Sequence, residues 1–364
     1  MTRVLHLDSG PDWRGGQQQV FHLVAGLARR GLEQQLALRR QGALSQRATE
    51  LRLPLSQLAF NSEADLSSIL QLRRLIKDFC PDIIHAHDAR TLGLAVTARF
   101  LGPSPKLIAA RRVAFPISKN PFSRFKYQTA ADRILAVSEF VRASLLASGV
   151  DPKRVVVIYD GLDQKEKPAE ADRTSIRQRL GIPDAACLIG CVGSFTSEKG
   201  HSILIRGFLR INQRQPQSLL MLIGEGKLKD AHIKLAQDLG LAGKVFFPGF
   251  ASDLSQLLPA LDLFVFPSLQ EGLGSSLLTA MAYGIPVCAS RTGGIPEVVE
   301  DRRTGLLFGP GEPDSLAQAV LAAIEMPEQS QRYAQAAYQR VGNCFSVERM
   351  VEETHQIYSK VFAP

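Results

Sequence analysis

RVLHLDSGPDWRGGQQQVFHLVAGLARRG, residues 3–31, sets the reading of the whole chain. An apolar run, Val4 to Leu7, ends in turn residues, and after the paired Gly15 and Gly16 the apolar positions recur at helical spacing: Val20, Leu23, Val24 and Leu27, closing on Gly31. Strand, glycine turn and helix in that order open an α/β unit. The same order returns in LQLRRLIKDFCPDIIHAHD, where a basic-faced helix stops at Pro81 and a short strand, Ile83 to Ala86, delivers His87 and Asp88 to its end. KLIAAR, RILAVS and VVVIYDG read as further strands. Regular alternation of this kind predicts a parallel sheet covered on both faces.

At 364 residues the chain exceeds what one core usually serves, which predicts two domains. DQKEKPAEADRTS, residues 163–175, is nearly free of apolar side chains and reads as a surface linker. Beyond it the alternation restarts with CLIGCVGSF, GHSILIRGFLRIN, SLLMLIGEG, KDAHIKLAQDLGL and KVFFPGF, and continues through LFVFPS, SSLLTAMAYG, PVCAS, IPEVVED and TGLLF. SVERMVEETHQIYSKVF closes the chain as an amphipathic helix with Val347, Met350, Val351, Ile357, Tyr358 and Val361 in its stripe. The expected fold class is α/β, with two tandem Rossmann-like domains over residues 1–165 and 166–345, ligands in the cleft between them, and a last helix over 346–364.

Composition narrows the classes. With 45% hydrophobic and 21% charged residues the sequence is that of a soluble globular protein. No apolar run reaches the roughly 18 residues of a spanning helix. The start of the chain has no apolar leader, so a cytoplasmic location is expected. The cysteines, Cys80, Cys187, Cys191, Cys288 and Cys344, are odd in number and mostly sit in apolar runs. Without a second pair or a nearby His beside Cys187 and Cys191, they read as buried free thiols, and no metal site is expected. Residues 1–165 carry 24 Lys/Arg against 14 Asp/Glu, and residues 166–364 carry 19 against 21. A basic first half fits either an anionic partner or a solvated face.

Glycines cluster where strands give way to helices: Gly15 and Gly16, Gly193 and Gly200, Gly224 and Gly226, Gly272 and Gly274. Helix N-termini present unpaired N–H groups there, and Gly admits a phosphate close to them. No GxxxxGK[ST] is present, which argues against a P-loop NTPase, and no GxGxxG follows a strand, which argues against a typical NAD or FAD enzyme. No DxD pair offers to hold Mg²⁺ on a diphosphate, leaving backbone and basic groups to meet such charge. Lys199 in SFTSEKGH stands at a strand-to-helix turn for that task, with a solvated lysine as the alternative. His85 and His87 alternate in DIIHAHDAR and are assigned to opposite strand faces, His87 toward the ligand. Arg111 and Arg112 end a strand, as an anion contact or a solvated pair.

PSLQEGLGSSLLTAMAYGIPVCASRTGGIPEVVED, residues 267–301, resembles the donor-site segment of retaining GT-B glycosyltransferases of glycosyltransferase family 4. That segment carries two glutamates eight positions apart, then a small-residue helix, GxPV and GGxPE. WRGGQQQV resembles the family's diglycine loop, DIIHAHD its histidine strand, VGSFTSEKGH its phosphate turn and DLFVFPS the strand before the donor loop. ILAVSEFVRASLLASGV and VIYDGLD resemble the end of its acceptor domain, so the likeness covers nearly the full chain.

The resemblance implies an N-terminal acceptor-binding domain, a C-terminal nucleotide-sugar domain, and a last helix returning to domain one. It implies that Gly15 and Gly16 meet the donor diphosphate, that Lys199 neutralises it, and that Glu271 holds sugar hydroxyls. The backbone of Gly274, Ser275 and Ser276 would contact sugar and phosphate, Gly249 and Phe250 would help bind the nucleotide, and His87 would stand near the reacting centre. Catalysis would therefore fall to His87, Lys199 and Glu271, without metal or cofactor, on a donor expected to be a UDP-sugar. Two positions depart from the pattern: Thr279 replaces the ribose glutamate, and Ser194 replaces an arginine that accompanies the lysine. The implied acceptor is a glycan or a lipid-linked saccharide of lipopolysaccharide or surface polysaccharide assembly. An anionic membrane surface at the inner face of the cytoplasmic membrane, contacted through Arg124, Lys126 and neighbours, is a further expected partner, and nucleic acid is not. The departures keep two alternatives in view, a nucleotide-sugar-binding protein that no longer transfers and a nucleotide-sugar epimerase.

Overall fold

A computed structural model describes residues 2–99, 104–163, 170–251 and 253–362. They form two compact units, one made of Met1–Gly161 with Val347–Pro364, the other of Leu162–Ser346.

Unit 1 holds strands β1 (Arg3–Asp8), β2 (Glu33–Arg39), β3 (Leu55–Leu58), β4 (Ile83–Ala86), β5 (Lys106–Arg111), β6 (Arg133–Ala136) and β7 (Val155–Val157). They lie in the order β3-β2-β1-β4-β5-β6-β7, and every described pairing is parallel. Unit 2 repeats the scheme with β8 (Cys187–Val192), β9 (Ser218–Ile223), β10 (Val245–Gly249), β11 (Leu263–Phe266), β12 (Val287–Ser290) and β13 (Leu306–Phe308), ordered β10-β9-β8-β11-β12-β13. In both sheets the chain reverses direction of growth after the third strand. That puts a switch point between β1 and β4 and another between β8 and β11, and ligands of doubly wound sheets bind outside the carboxyl ends of strands at such points.

The central strands are buried on both faces, which is why VLHL, LIGC, LLMLI and FVF read as continuous apolar runs. The first helix, Gly15–Arg29, turns Val20, Leu23, Val24 and Leu27 inward. The last helix, Val347–Lys360, lies on the same unit, its Met350, Val351 and Tyr358 in one cluster with Val4, Leu23, Leu27, Ile83 and Ile108. Gly26 lets the two helices meet, since a β-carbon there would fall 2.5 Å from a Val351 methyl.

Two expectations need correction. The polar stretch 163–175 is not all linker: residues 164–169 lie outside the described residues, and a helix, Glu170–Leu180, begins at once after them. Charge anchors it in place of an apolar stripe, Arg173 and Arg177 both bonding the Asp262 carboxylate, with Arg177 also donating to Ala186 O at 2.6 Å. The cysteines are not uniformly buried either. Cys191 and Cys288 are, and burial pushes both thiols up to about 12, but Cys187 and Cys344 are half-buried and Cys80 is exposed at a left-handed helix end.

Candidate active site

In unit 2 the residues at the switch point come from β8 and β11. Beyond β8 the chain passes Gly193 and Ser194 and makes a short turn, Ser197–Lys199, before the helix His201–Arg214. Beyond β11 it passes Ser268 and Glu271 before the helix Ser275–Ala282. Leu269 N donates to Glu198 O at 2.7 Å, tying the two connections together. Their tips meet in an ion pair: Lys199 Nζ donates to Glu271 Oε2 at 2.5 Å, with side chains 23% and 15% exposed. Ser268 Oγ reaches the same oxygen at 3.4 Å. The GG of the GGIPE segment explains itself here, because Gly293, at φ 57°, packs so tightly on Glu271 that a β-carbon would stand 2.0 Å from its carbonyl oxygen.

The helix Ser275–Ala282 has Gly274 at its N-cap and no side-chain cap; its first intrahelical bond runs from Leu278 N to Gly274 O. The N–H groups of its first turn are thus available to an anion. Ser276 Oγ donates to Val192 O at 2.9 Å, which pins the helix start to the end of β8. Thr279 Oγ1 donates to Ser275 O at 2.9 Å, leaving its oxygen as an acceptor only. Gly249 ends β10 with φ 88°, and Phe250 beyond it is 59% exposed.

In unit 1 the switch point lies between the ends of β1 and β4. Gly15 and Gly16 start the first helix, and a side chain at Gly16 would meet open space. The loop before them is held by Asp8, whose carboxylate accepts from Gly10 N at 2.9 Å and Gln17 Nε2 at 3.2 Å. Burial, and next the nearby Asp88, raise the Asp8 carboxyl from 3.8 to about 6, with those hydrogen bonds opposing the rise. Asp88 in turn accepts from Ser9 N at 2.7 Å and from Thr91 N at 2.9 Å, joining the two strand ends.

His87 sits at the end of β4 and is buried, but its relation to His85 corrects the sequence expectation. Residues two apart on a strand share a face. The two rings stack with centroids 4.0 Å apart, and His6, paired with His85 in the sheet register, joins them: His6 Nδ1 and His87 Nε2 are 3.1 Å apart. Tyr358 of the last helix bonds His85 Nδ1 at 2.6 Å. Burial drives His6 down to about 3 and His85 and His87 well below 6.5, so all three are neutral imidazoles at neutral pH. Their ligating atoms lie within 4.8 Å of one another, a donor set that the cysteine-based reading of metal sites overlooked. The geometry is that of a close nitrogen pair with a third ring packed against it: the His6 and His87 planes are parallel within 8°, while His85 packs on His87 at a 36° tilt. A metal needs all three lone pairs converging in their ring planes.

Three basic residues also differ from expectation. Arg111 is nine-tenths buried and spends its guanidinium on Phe115 O, at 2.5 Å, and on Tyr127. Arg112 pairs with the buried Asp160 at 3.0 Å. Neither belongs to a solvated pair: the segment after β5 folds back over Arg111, and Asp160 beyond β7 takes Arg112. Lys126 is 1% exposed and donates to Glu63 Oε1 at 2.7 Å and Ala89 O at 3.0 Å, so it is no surface cation.

Comparison with known proteins bears on this geometry. Residues 13–166 match the family described as Glycosyltransferase Family 4, and residues 172–340 match Glycosyl transferases group 1. A GDP-mannose-dependent alpha-(1-6)-phosphatidylinositol monomannoside mannosyltransferase of Mycolicibacterium smegmatis is 30% identical over 263 residues, 65% of this chain and 68% of the relative. The chain belongs to glycosyltransferase family 4. The lipopolysaccharide core biosynthesis glycosyltransferase LpsE of Rhizobium meliloti is 27% identical over 98% of both chains. Crystalline HepE of Anabaena, solved with UDP and glucose and with UDP-glucose, shares the fold with a TM-score of 0.87 at 23% identity, over 99% of this chain and all of HepE. The fold of this glycosyltransferase is thus GT-B, built from two Rossmann-like units. Each unit brings its sequence-expected residues to its own switch point: Gly15, Gly16 and His87 in unit 1, and Ser194, Lys199, Glu271, Gly274, Ser275 and Ser276 in unit 2. Sequence reasoning missed His6, Asp8 and Tyr358. The HxD pattern of His6 and Asp8 at the end of the first strand was the available signal.

Proposed function

We propose that this glycosyltransferase moves a sugar from a UDP-sugar to a glycan or lipid-linked acceptor of lipopolysaccharide or surface polysaccharide assembly, with retention and without metal. The observation that carries the reading is the Lys199–Glu271 pair beside the uncapped helix at Ser275, a cation and a carboxylate next to free N–H donors. HepE, whose structure holds UDP-glucose, and LpsE, named for core lipopolysaccharide, support the donor and acceptor classes.

In the proposed step the bond from the anomeric carbon to the diphosphate breaks, and negative charge grows on the leaving oxygen. Lys199 and the helix N-terminus at Gly274 stabilise that charge while Glu271 holds sugar hydroxyls. The acceptor oxygen bonds to the anomeric carbon from the same face, and its proton passes to the leaving diphosphate oxygen. Gly249 and the exposed Phe250 serve the nucleotide.

The acceptor is proposed to lie at an anionic membrane surface. Residues 111–131 hold no Asp or Glu, and within them Val113, Phe115 and Phe122 are exposed hydrophobics interleaved with Lys119 and Arg124. Apolar side chains among cations suit a lipid headgroup layer.

A thermal-shift panel of UDP-, GDP- and ADP-sugars tests the donor, followed by nucleotide release with and without chelator. UDP-sugar stabilisation and chelator-resistant release are expected. Binding without release across acceptors would favour a non-transferring binding protein, the reading that Thr279 and Ser194 support. Sedimentation with phosphatidylglycerol vesicles tests the membrane surface, Phe115→Ser with Phe122→Ser abolishing it.

A further inference from the structure

Arg39 ends β2, and Arg90 is the second residue of the helix Ala89–Arg99 that follows β4. β1 lies between those two strands. Arg39 comes one residue after Leu38, the partner of Asp8 in the sheet, and Asp88, two residues before Arg90, accepts from Ser9 N. The two arginines thus flank the end of β1 at the switch point of unit 1. Their side chains meet on one atom: Arg39 Nη1 donates to Phe60 O at 3.3 Å and Arg90 Nη1 to the same oxygen at 3.1 Å. Phe60, just past β3, is fully buried and left-handed at φ 49°, a conformation that costs a bulky residue free energy. Its N–H donates to Ser68 Oγ at 3.0 Å, which holds it in place under the arginines.

One guanidinium satisfies a carbonyl oxygen. A second sets a like charge beside the first, which is unfavourable until an anion joins them. Among the described residues neither arginine has a carboxylate partner, and the guanidinium nitrogens that are not on Phe60 O are not buried. The neighbouring carboxylates are committed elsewhere: Asp88 accepts from Ser9 N, Ser9 Oγ, Arg90 N and Thr91 N, and Glu63 takes Lys126. Two half-buried planar cations therefore stand together with donors open to solvent. Guanidinium forks match the paired oxygens of a phosphate group.

We propose that Arg39 and Arg90 form an anion site that takes a phosphate group of the acceptor, carried on a phosphorylated sugar or in a lipid-linked diphosphate. That the ligand is the acceptor rests on the proposed transfer; that the pair binds phosphate does not.

The test uses the full chain with UDP at saturation and reads ³¹P line broadening of inorganic phosphate, a hexose 6-phosphate and farnesyl diphosphate. Arg39→Gln and Arg90→Gln each leave Phe60 O one guanidinium. Arg74→Gln, exposed on the helix Leu66–Phe79, makes the same charge change elsewhere on unit 1. Wild type and Arg74→Gln bind inorganic phosphate alike, and each site variant weakens it at least about tenfold, the scale of a charged hydrogen bond. Relief of the like-charge contact leaves the Tm of both site variants at or above wild type in phosphate-free buffer. Tighter binding of the hexose phosphate assigns the site to a phosphorylated sugar, and tighter binding of farnesyl diphosphate assigns it to a lipid-linked acceptor. Should one site variant fail to fold, the other decides alone. A lowered Tm with unchanged phosphate binding overturns the proposal, the arginines then serving only Phe60, and so does an equal loss in Arg74→Gln. Absence of phosphate binding in a wild type that releases nucleotide from a UDP-sugar overturns the anion site and spares the transfer. Arginine-dependent phosphate binding in a chain that transfers nothing upholds the anion site and removes the acceptor.

Discussion

Replacing Lys199 by Met separates catalysis from stability at one position. The methionine keeps the length of the stem over Phe266, whose ring lies 5.7 Å below the ammonium, and deletes the charge. For transfer, losing one preorganised group that meets leaving-group charge costs about 10²–10³ in kcat, or about 3–4 kcal/mol. For stability the loss is smaller. The pair is neither exposed, where such contacts contribute about 0.2–1 kcal/mol, nor dry, where stranding a partner costs about 3–5 kcal/mol. At 23% and 15% exposure, solvent screening places the cost at about 1–2 kcal/mol. For a body of this size that is a fall in Tm of roughly 2–8 °C. Lys199→Met with Glu271→Gln leaves no charge stranded, so Tm recovers while transfer does not. Scanning fluorimetry and a nucleotide-release assay on the two variants check both halves. Turnover of Lys199→Met within twofold of wild type refutes the electrostatic role. Recovery of turnover in the double variant would show that Lys199 only holds Glu271.

Thr279→Glu restores a carboxylate to the ribose position, and UDP affinity by titration calorimetry should rise about tenfold, the scale of one charged hydrogen bond; an unchanged Kd means that the nucleotide is held elsewhere. Glu63→Ala strands the buried Lys126 ammonium and should cost about 3–5 kcal/mol in urea unfolding, whereas Lys126→Met leaves a 38% exposed Glu63 to water and should cost about 1 kcal/mol; the reverse order would place the lysine charge in solvent. Asp8 is held at about 6, above its unfolded 3.8, so the folded state keeps the proton longer and stability falls as pH rises between those values. Asp8→Asn should therefore exceed wild type by up to roughly 3 kcal/mol at neutral pH, with the gap closing below about pH 4; equal denaturant midpoints at neutral pH would show no such penalty.

The parallel architecture was legible because its central strands are buried on both faces and announce themselves as apolar runs between glycines and helices. Unit 2's candidate-site residues were legible for a related reason: Lys199, Glu271 and Gly274 lie on short connections directly after strands, where local sequence fixes position. What escaped was polar residues serving the interior. β2, EQQLALR, hides its strand behind two glutamines, one of which, Gln34, is buried and bonds the backbone of the first helix. Arg112 and Lys126 looked solvated because their partners, Asp160 and Glu63, lie 48 and 63 residues away in sequence. His85 and His87 were separated by a misjudged strand period, and only the register with β1 shows that His6 completes the group.

The return of the last helix to unit 1 has a consequence for synthesis. A ribosome releases the strands of unit 1 first, yet the residues that cover Val4, Leu23 and Ile83, among them Met350, Val351 and Tyr358, emerge only after unit 2. Unit 2, contiguous in sequence, can complete its core while the chain is still being made; unit 1 waits with an apolar face open to chaperones and to other nascent chains. A stop codon before residue 347 would thus produce a chain whose second unit is whole and whose first unit is permanently unfinished.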